Sequence, residues 1–287
     1  MAAASFVEER LFRPPQPLMC FPSEVNDDAE AVARVEPENL RIFGVTNVPS
    51  VSALSRNPQY LVVYLHGNAE NLLSCGPYAR FLSDALHADV HVPEYSGYWQ
   101  NSNGDWRVAT EKHCFEDIEL FVGELVAGER STGRNLPVVM CGYSTGCALA
   151  LHASDVHRTD SFPHAVLLIA PFISACSVVL ASRSWQIPFS PLYSFMDAFC
   201  MRKAALRSGH PMVIAHGALD RVVPVTHGRQ IARWSNEAQR DNVVYLEVET
   251  ADHDTIREHD HVYDVFLEFL NVLNGHSSAS EESDGEA

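Results

Sequence analysis

Val138-Val139-Met140-Cys141-Gly142-Tyr143-Ser144-Thr145-Gly146-Cys147-Ala148-Leu149-Ala150 passes from an apolar run, through Gly-x-Ser-x-Gly, into a stretch of small residues. The first part reads as a buried strand and the last as a helix. Between them the chain must turn sharply. Side chains at Gly142 or Gly146 would collide with the neighbouring strand and helix, and Ser144 must take a strained backbone that lifts its Oγ above the sheet. The helix that follows aims unpaired N–H groups and its positive dipole end at the same point, so the Thr145 N–H is placed to face a developing oxyanion. Taken alone, Gly-x-Ser-x-Gly also fits a glycine turn carrying a surface serine. The strand before it and the helix after it favour a nucleophile.

Two further segments fit that reading. After the apolar run 61–65 comes His66-Gly67-Asn68-Ala69-Glu70-Asn71, a polar loop opening a helix, where the backbone N–H of Asn68 or Ala69 would supply a second oxyanion donor. Downstream, Ile214-Ala215-His216-Gly217-Ala218-Leu219-Asp220-Arg221-Val222-Val223-Pro224 is a strand whose C-terminal loop presents an acid. On spacing alone Asp220 serves equally as a helix cap or as a partner for Arg221. Chain order favours another role: a nucleophile on such an elbow is followed by an acid and then a histidine, and His253 lies in Thr250-Ala251-Asp252-His253-Asp254-Thr255 after the last strand. Ser144 would attack an ester-type carbonyl while His253 takes its proton and Asp220 stabilises the imidazolium, and water would then resolve the acyl-enzyme. Fourteen histidines make any single one a weak signal. His259 and His261 would pair weakly with a metal, but a catalytic metal needs about three ligands and no HExxH-type cluster is present. Neither a metal nor a cofactor is expected.

Around these segments short β-branched runs alternate with amphipathic helices. This pattern predicts an α/β fold with a mostly parallel central sheet and helices on both faces. Strands are expected at 40–45, 61–65, 90–93, 138–141, 165–169, 212–215 and 243–248. One helix is expected over 108–126, and a C-terminal helix carries Val262, Phe266, Phe269, Leu270 and Leu273 on one stripe. Residues 172–209, rich in Ser, Pro and aromatics, interrupt the alternation and read as a cap-like insertion. The expected organisation is an extended arm at 1–36, a catalytic domain at 37–274 and a disordered acidic tail at 275–287.

Composition narrows the possible partners. The chain has 287 residues, 46% hydrophobic and 20% charged, which suits one globular α/β domain. A formal charge of -17 repels phosphate backbones and anionic lipid surfaces, so nucleic acid is excluded as a partner and the folded body has little electrostatic pull toward a membrane. Nothing at the N-terminus reads as a signal peptide, and no apolar run approaches the roughly 20 residues of a bilayer span. A cytoplasmic protein is expected. Seven scattered cysteines without a CxxC pair read as reduced, mostly buried thiols.

With these residues in view, the chain resembles the α/β-hydrolase superfamily over about residues 40–273. More narrowly it resembles the alpha/beta hydrolase domain-containing 17 group and its serine-aminopeptidase-like relatives. The resemblance is carried by Tyr64-Leu65-His66-Gly67-Asn68-Ala69-Glu70, Glu94-Tyr95-Ser96-Gly97-Tyr98, the Ser144 elbow, Met196-Asp197-Ala198-Phe199 and the loop bearing Asp220. It implies a serine hydrolase acting on a thioester or carboxylic ester, with an acylated protein or a small ester as substrate and palmitoyl-protein thioesterase as the leading subclass. A serine peptidase or lipid esterase uses the same triad, and an inactive hydrolase fold serving as a binding module is a reading of another class. The resemblance also exposes departures: Glu94 stands for an aspartate, Trp99 for a glycine, and Asp252 for the glycine before the histidine. Asp252 is expected to raise the His253 pKa by charge proximity, and Trp99 to add bulk near the site. The depalmitoylating relatives carry an acylated N-terminal cysteine cluster, whereas Cys20 alone occupies that region here. Arg13-Pro14-Pro15-Gln16-Pro17 resembles their proline-rich lead-in. One acyl chain anchors only marginally, so at most weak peripheral membrane association is expected.

Overall fold

Short apolar runs whose two faces are both buried can lie only inside a sheet covered on both sides. The computed structural model, which describes residues 40–45, 48–99, 108–158, 162–182, 197–207, 209–239 and 242–283, places them there. The strands are β1 (Leu40–Val45), β2 (Val48–Ala53), β3 (Tyr60–Leu65), β4 (Ala88–Pro93), β5 (Val138–Tyr143), β6 (Ala165–Ile169), β7 (Met212–Gly217) and β8 (Val243–Val248). They form an eight-stranded sheet in the order β1-β2-β4-β3-β5-β6-β7-β8. β2 runs antiparallel to both neighbours, and from β4 to β8 every pair is parallel. From β3 the chain moves outward to β4 and then returns across β3 to β5. The crevice beyond the C-terminal ends of β3 and β5 is therefore the topological switch point, where parallel sheets bind ligands.

Alternate residues of each strand feed two cores. Leu61, Val63 and Leu65 of β3 pack with Ile118 and Phe121 of α2 (Glu111–Ser131) and with α3 (Gly146–Val156). Val62 and Tyr64 face α1 (Leu72–Leu86) and α7 (Asp260–Ser283), where Leu82, Phe266 and Leu270 are completely buried. Within the C-terminal stripe read from sequence, Val262 is also completely buried, and Phe269 and Leu273 pack partly buried against the same core. α7 runs to Ser283, into the stretch expected to be a disordered tail, and 284–287 lie outside the described residues, as does the arm at 1–36.

Two boundaries moved for identifiable reasons. α2 begins at Glu111 rather than 108 because the Thr110 hydroxyl accepts the His113 N–H at 3.1 Å and caps the helix there. The stretch 172–209 is only in part a lid over the sheet. In the described part, α4 (Ala175–Ser182) stands at the site, but Met201 and Ala205 of α5 (Met201–Arg207) are buried in the main core. α6 (Thr226–Gln239) and a 3-10 turn (Thr255–Glu258) complete the described helices. Of the cysteines, Cys75, Cys114, Cys141, Cys147 and Cys176 are buried free thiols and Cys200 is an exposed one; Cys20 lies outside the described residues.

Candidate active site

The elbow has the strain its sequence demands. Ser144 sits at φ 51°, a left-handed conformation that is uncommon for any residue with a Cβ. Its N–H is held by Ile169 O at 2.9 Å, which pins the turn to β6. The two glycines allow the close approach: a Cβ on Gly142 would stand 2.6 Å from Gly146 O, and one on Gly146 would stand 1.8 Å from Leu65 O. Both obstacles are backbone, which cannot rotate away. Gly146→Ala is therefore expected to cost about 3 kcal/mol or more by forcing α3 away from β3. Thermal unfolding measures it, and a variant with an unchanged midpoint would contradict the close packing at the elbow.

Asp220 and His253 meet across 33 residues of chain. His253 Nδ1 lies 2.7 Å from Asp220 Oδ2, and the other carboxylate oxygen accepts the Val222 and Val223 N–H groups at 2.8 and 2.7 Å. Burial by itself would push the Asp220 carboxyl up. Bonds from His216, His253 and the Val223 N–H outweigh it and hold the group far below the usual carboxylate range. Asp220 is thus an anion whose pull fixes the proton of His253 on Nδ1 and leaves Nε2 as the unprotonated nitrogen. Ser144 and His253 line the same cavity. No hydrogen bond joins Ser144 Oγ to Nε2 among the described residues, as is common before substrate tightens a site.

The expected oxyanion residues Asn68, Ala69 and Thr145 line this cavity beside Ser144. Their loop is braced from below. His66, buried and stacked on Tyr95 at 4.2 Å, uses Nδ1 toward Gly67 O at 2.9 Å and Nε2 toward Glu94 Oε1 at 2.8 Å. Burial opposes charge on His66, yet the Glu94 carboxylate raises its pKa above the ordinary histidine value. Glu94 Oε2 also accepts the Leu72 N–H at 3.0 Å, so this acid ties the start of α1 to the loop. Tyr98 Oη donates to Asn68 Oδ1 at 2.6 Å. His66, Glu70 and Cys75 lie close enough together to suggest a metal site. Their chemistry argues otherwise: both His66 nitrogens and both Glu70 oxygens have protein partners, and burial pushes the Cys75 thiol well up.

Two of the departing residues have definite places. Asp252 Oδ1 accepts the Thr255 and Asp254 N–H groups at 2.9 and 3.1 Å and the Thr255 hydroxyl at 2.8 Å. Those bonds lower its own pKa and tie it to the start of the 3-10 turn, while Asp220 holds His253. Trp99 is not among the described residues that line the cavity.

The cavity measures about 360 Å³, at the small end of ligand sites, which span roughly 300–1,000 Å³. Phe172, Ala175, Val178, Phe199, Val222 and Val223 give it an apolar wall. The wall is tied to the body by Ala175 N–H to Ala198 O at 2.9 Å, Cys176 N–H to Asp197 Oδ1 at 3.0 Å and Phe199 N–H to Glu111 Oε1 at 2.6 Å. His216, within the motif that carries Asp220, is a residue whose role the sequence leaves unread. It is fully buried, with Nε2 2.9 Å from Val223 O, to which it donates, and 3.3 Å from Asp220 Oδ2, so its ring backs the acid. A histidine four residues before the acid was the available signal.

Comparison with known proteins bears on the fold. A family model described as serine aminopeptidase, S33, matches residues 56–195, which hold the oxyanion loop and the elbow but not Asp220 or His253. Alpha/beta hydrolase L404 of Acanthamoeba polyphaga mimivirus is 26% identical over 246 residues, 79% of this chain and 88% of that protein. Alpha/beta hydrolase domain-containing protein 17B of Homo sapiens is 27% identical over 174 residues, and the chain spans 54% of that relative's length. Among solved structures, an esterase of Pyrococcus furiosus superposes with a TM-score of 0.63 at 15% identity, covering 82% of this chain and 91% of that one. The chain thus has the α/β-hydrolase fold.

Proposed function

We propose that this α/β-hydrolase chain, similar to proteins of the esterase, lipase and aminopeptidase type, is a serine hydrolase that cleaves a carboxylic ester or thioester through an acyl-enzyme on Ser144. The observation that carries the reading is that His253, held by Asp220 at 2.7 Å, lines one cavity with a serine at φ 51°. His253 takes the Ser144 proton during attack and returns it to the leaving alkoxide or thiolate, and water repeats the cycle to release the acid. Thr145, Asn68 and Ala69 supply the backbone donors for the oxyanion.

The apolar wall favours an acyl chain over a peptide. An aminopeptidase must present a carboxylate to an α-ammonium group, and the two carboxylates lining this cavity, Glu70 and Asp254, are engaged by Arg257 and by the Tyr143 hydroxyl. The similarity to the 17 group extends the proposal to S-acylated proteins, with palmitoylated cysteine as the leading substrate. Contact with a membrane would then be peripheral; no helix among the described residues is long and apolar enough to cross one.

Labelling with a fluorophosphonate probe tests the nucleophile, and a series of thioesters of increasing chain length tests the pocket. The wild type is expected to label, and kcat/KM to rise about fourfold per methylene until the cavity is full, since each buried CH₂ contributes about 0.8 kcal/mol. A folded wild type that stays unlabelled would return the fold to the binding-module reading, and a flat chain-length series would remove the acyl pocket.

A further inference from the structure

Arg257 lies on the 3-10 turn four residues after the catalytic base, and it touches each of the other two loops that build the site. Its Nη1 is ion-paired with Glu70 Oε1, and Glu70 Oε2 accepts the Gly67 N–H at 2.8 Å. Its guanidinium carbon stands 5.1 Å from the centre of the Tyr143 ring and 5.3 Å from that of Tyr78, within cation–π range. Tyr143 is the residue before the nucleophile, its hydroxyl lies 3.2 Å from His253 O, and a Cβ on Gly67 would meet its ring at 3.0 Å. The base loop, the elbow and the oxyanion loop are therefore joined through one planar cation.

We propose that Arg257, acting with Glu70, is a positioning residue that sets the distance between the oxyanion donors and Ser144. The inference rests on the serine-hydrolase reading above. The physical reason is that an oxyanion hole works only if its donors are already in place when charge develops. Gly67-Asn68-Ala69 is a short loop between β3 and α1, and the Glu70 carboxylate that accepts the Gly67 N–H is the group Arg257 holds. Without Arg257, Glu70 is a largely buried carboxylate lacking its counter-ion, and it can regain hydration only by swinging out and carrying the loop with it. Lysine has one charge centre and no planar guanidinium, so it restores the charge but not the contacts over the two tyrosine rings made while Glu70 is held.

The experiment uses the full chain and counts competent sites by fluorophosphonate labelling, then expresses turnover per labelled site. Arg257→Met keeps the apolar bulk and is expected to lower kcat roughly tenfold to a hundredfold, part of the roughly 10²–10³ that losing an oxyanion donor costs, with KM within about twofold of wild type. Arg257→Lys should recover part of the loss. Glu70→Gln should lose a similar factor, and the double variant no more than the worse single one, because both break one link. A residue that merely supports the fold would lower the number of labelled sites and leave turnover per site intact. That outcome, or a loss confined to KM, overturns the proposal. If Arg257→Met does not fold, the near-isosteric Glu70→Gln is read by the same criteria. An unlabelled wild type would instead sink the serine-hydrolase reading itself.

Discussion

Ser144→Ala is expected to abolish fluorophosphonate labelling and to lower hydrolysis by about 10⁶-fold, the scale seen when a serine protease loses its nucleophile. The residual rate should still exceed that of water, because the oxyanion donors and the cavity survive and supply roughly 10³–10⁴ of rate enhancement on their own. The substitution is a clean one here for a structural reason. The strain at φ 51° comes from the Cβ, which alanine keeps, and the turn is held by the backbone bond from the Ser144 N–H to Ile169 O, which alanine also keeps. The unfolding temperature should stay within a degree or two of wild type. Turnover persisting at a tenth of the wild-type rate, with labelling moved to another residue, would place the nucleophile elsewhere.

The contrast with Gly146→Ala separates what was legible in the sequence from what was not. The elbow could be read because its requirements are local: a strand, a turn that tolerates no Cβ at two positions, and a helix, all within thirteen residues. The parallel strands were readable for a related reason, since burial on both faces leaves uninterrupted apolar runs. β2 was missed because Val48-Pro49-Ser50-Val51-Ser52-Ala53 mixes a proline and two serines into a strand that the structure buries completely. The sheet tolerates this composition because the serines find partners, as Ser52 does with His91 Nδ1 at 2.8 Å. Asp252 shows a limit of another kind. It adjoins His253 along the chain, yet its carboxylate is bonded within its own loop, to Thr255 and Asp254, which sequence order alone does not reveal.

Arg257 and Glu70 had no sequence signal at all. They are 187 residues apart, and each sits in a segment already explained by something else, the polar loop after β3 and the turn after the base. A pair that acts by joining two loops becomes visible only when the fold brings those loops together. His216 is an intermediate case. Its position four residues before Asp220 is local, but the reason it matters, a buried ring 3.3 Å behind the carboxylate that holds His253, depends on where β7 ends.

Asp220→Asn is expected to lower kcat about 10⁴-fold while the protein stays folded, and the hydrogen bonds around the carboxylate say why. Oδ1 accepts two backbone N–H groups, from Val222 and Val223, and only an oxygen can take that place. The amide NH₂ of the variant must therefore occupy the Oδ2 position, 2.7 Å from His253 Nδ1. Facing a donor, Nδ1 has to become the acceptor, so the ring proton moves to Nε2 and the base can no longer take the Ser144 proton. The acid limb of stability gives a second readout. With the folded carboxyl titrating far below the roughly 3.9 of an unfolded aspartate, the unfolded chain takes up its proton first. The stabilisation is whole above about pH 4 and is lost as pH falls toward the lower folded value. The asparagine variant lacks this titration, so its stability should change less than that of the wild type between about pH 4 and pH 2. Turnover within tenfold of wild type would show that Asp220 does not set the tautomer of His253. An acid limb identical to the wild type would show that the carboxylate is not the buried, multiply bonded anion described here.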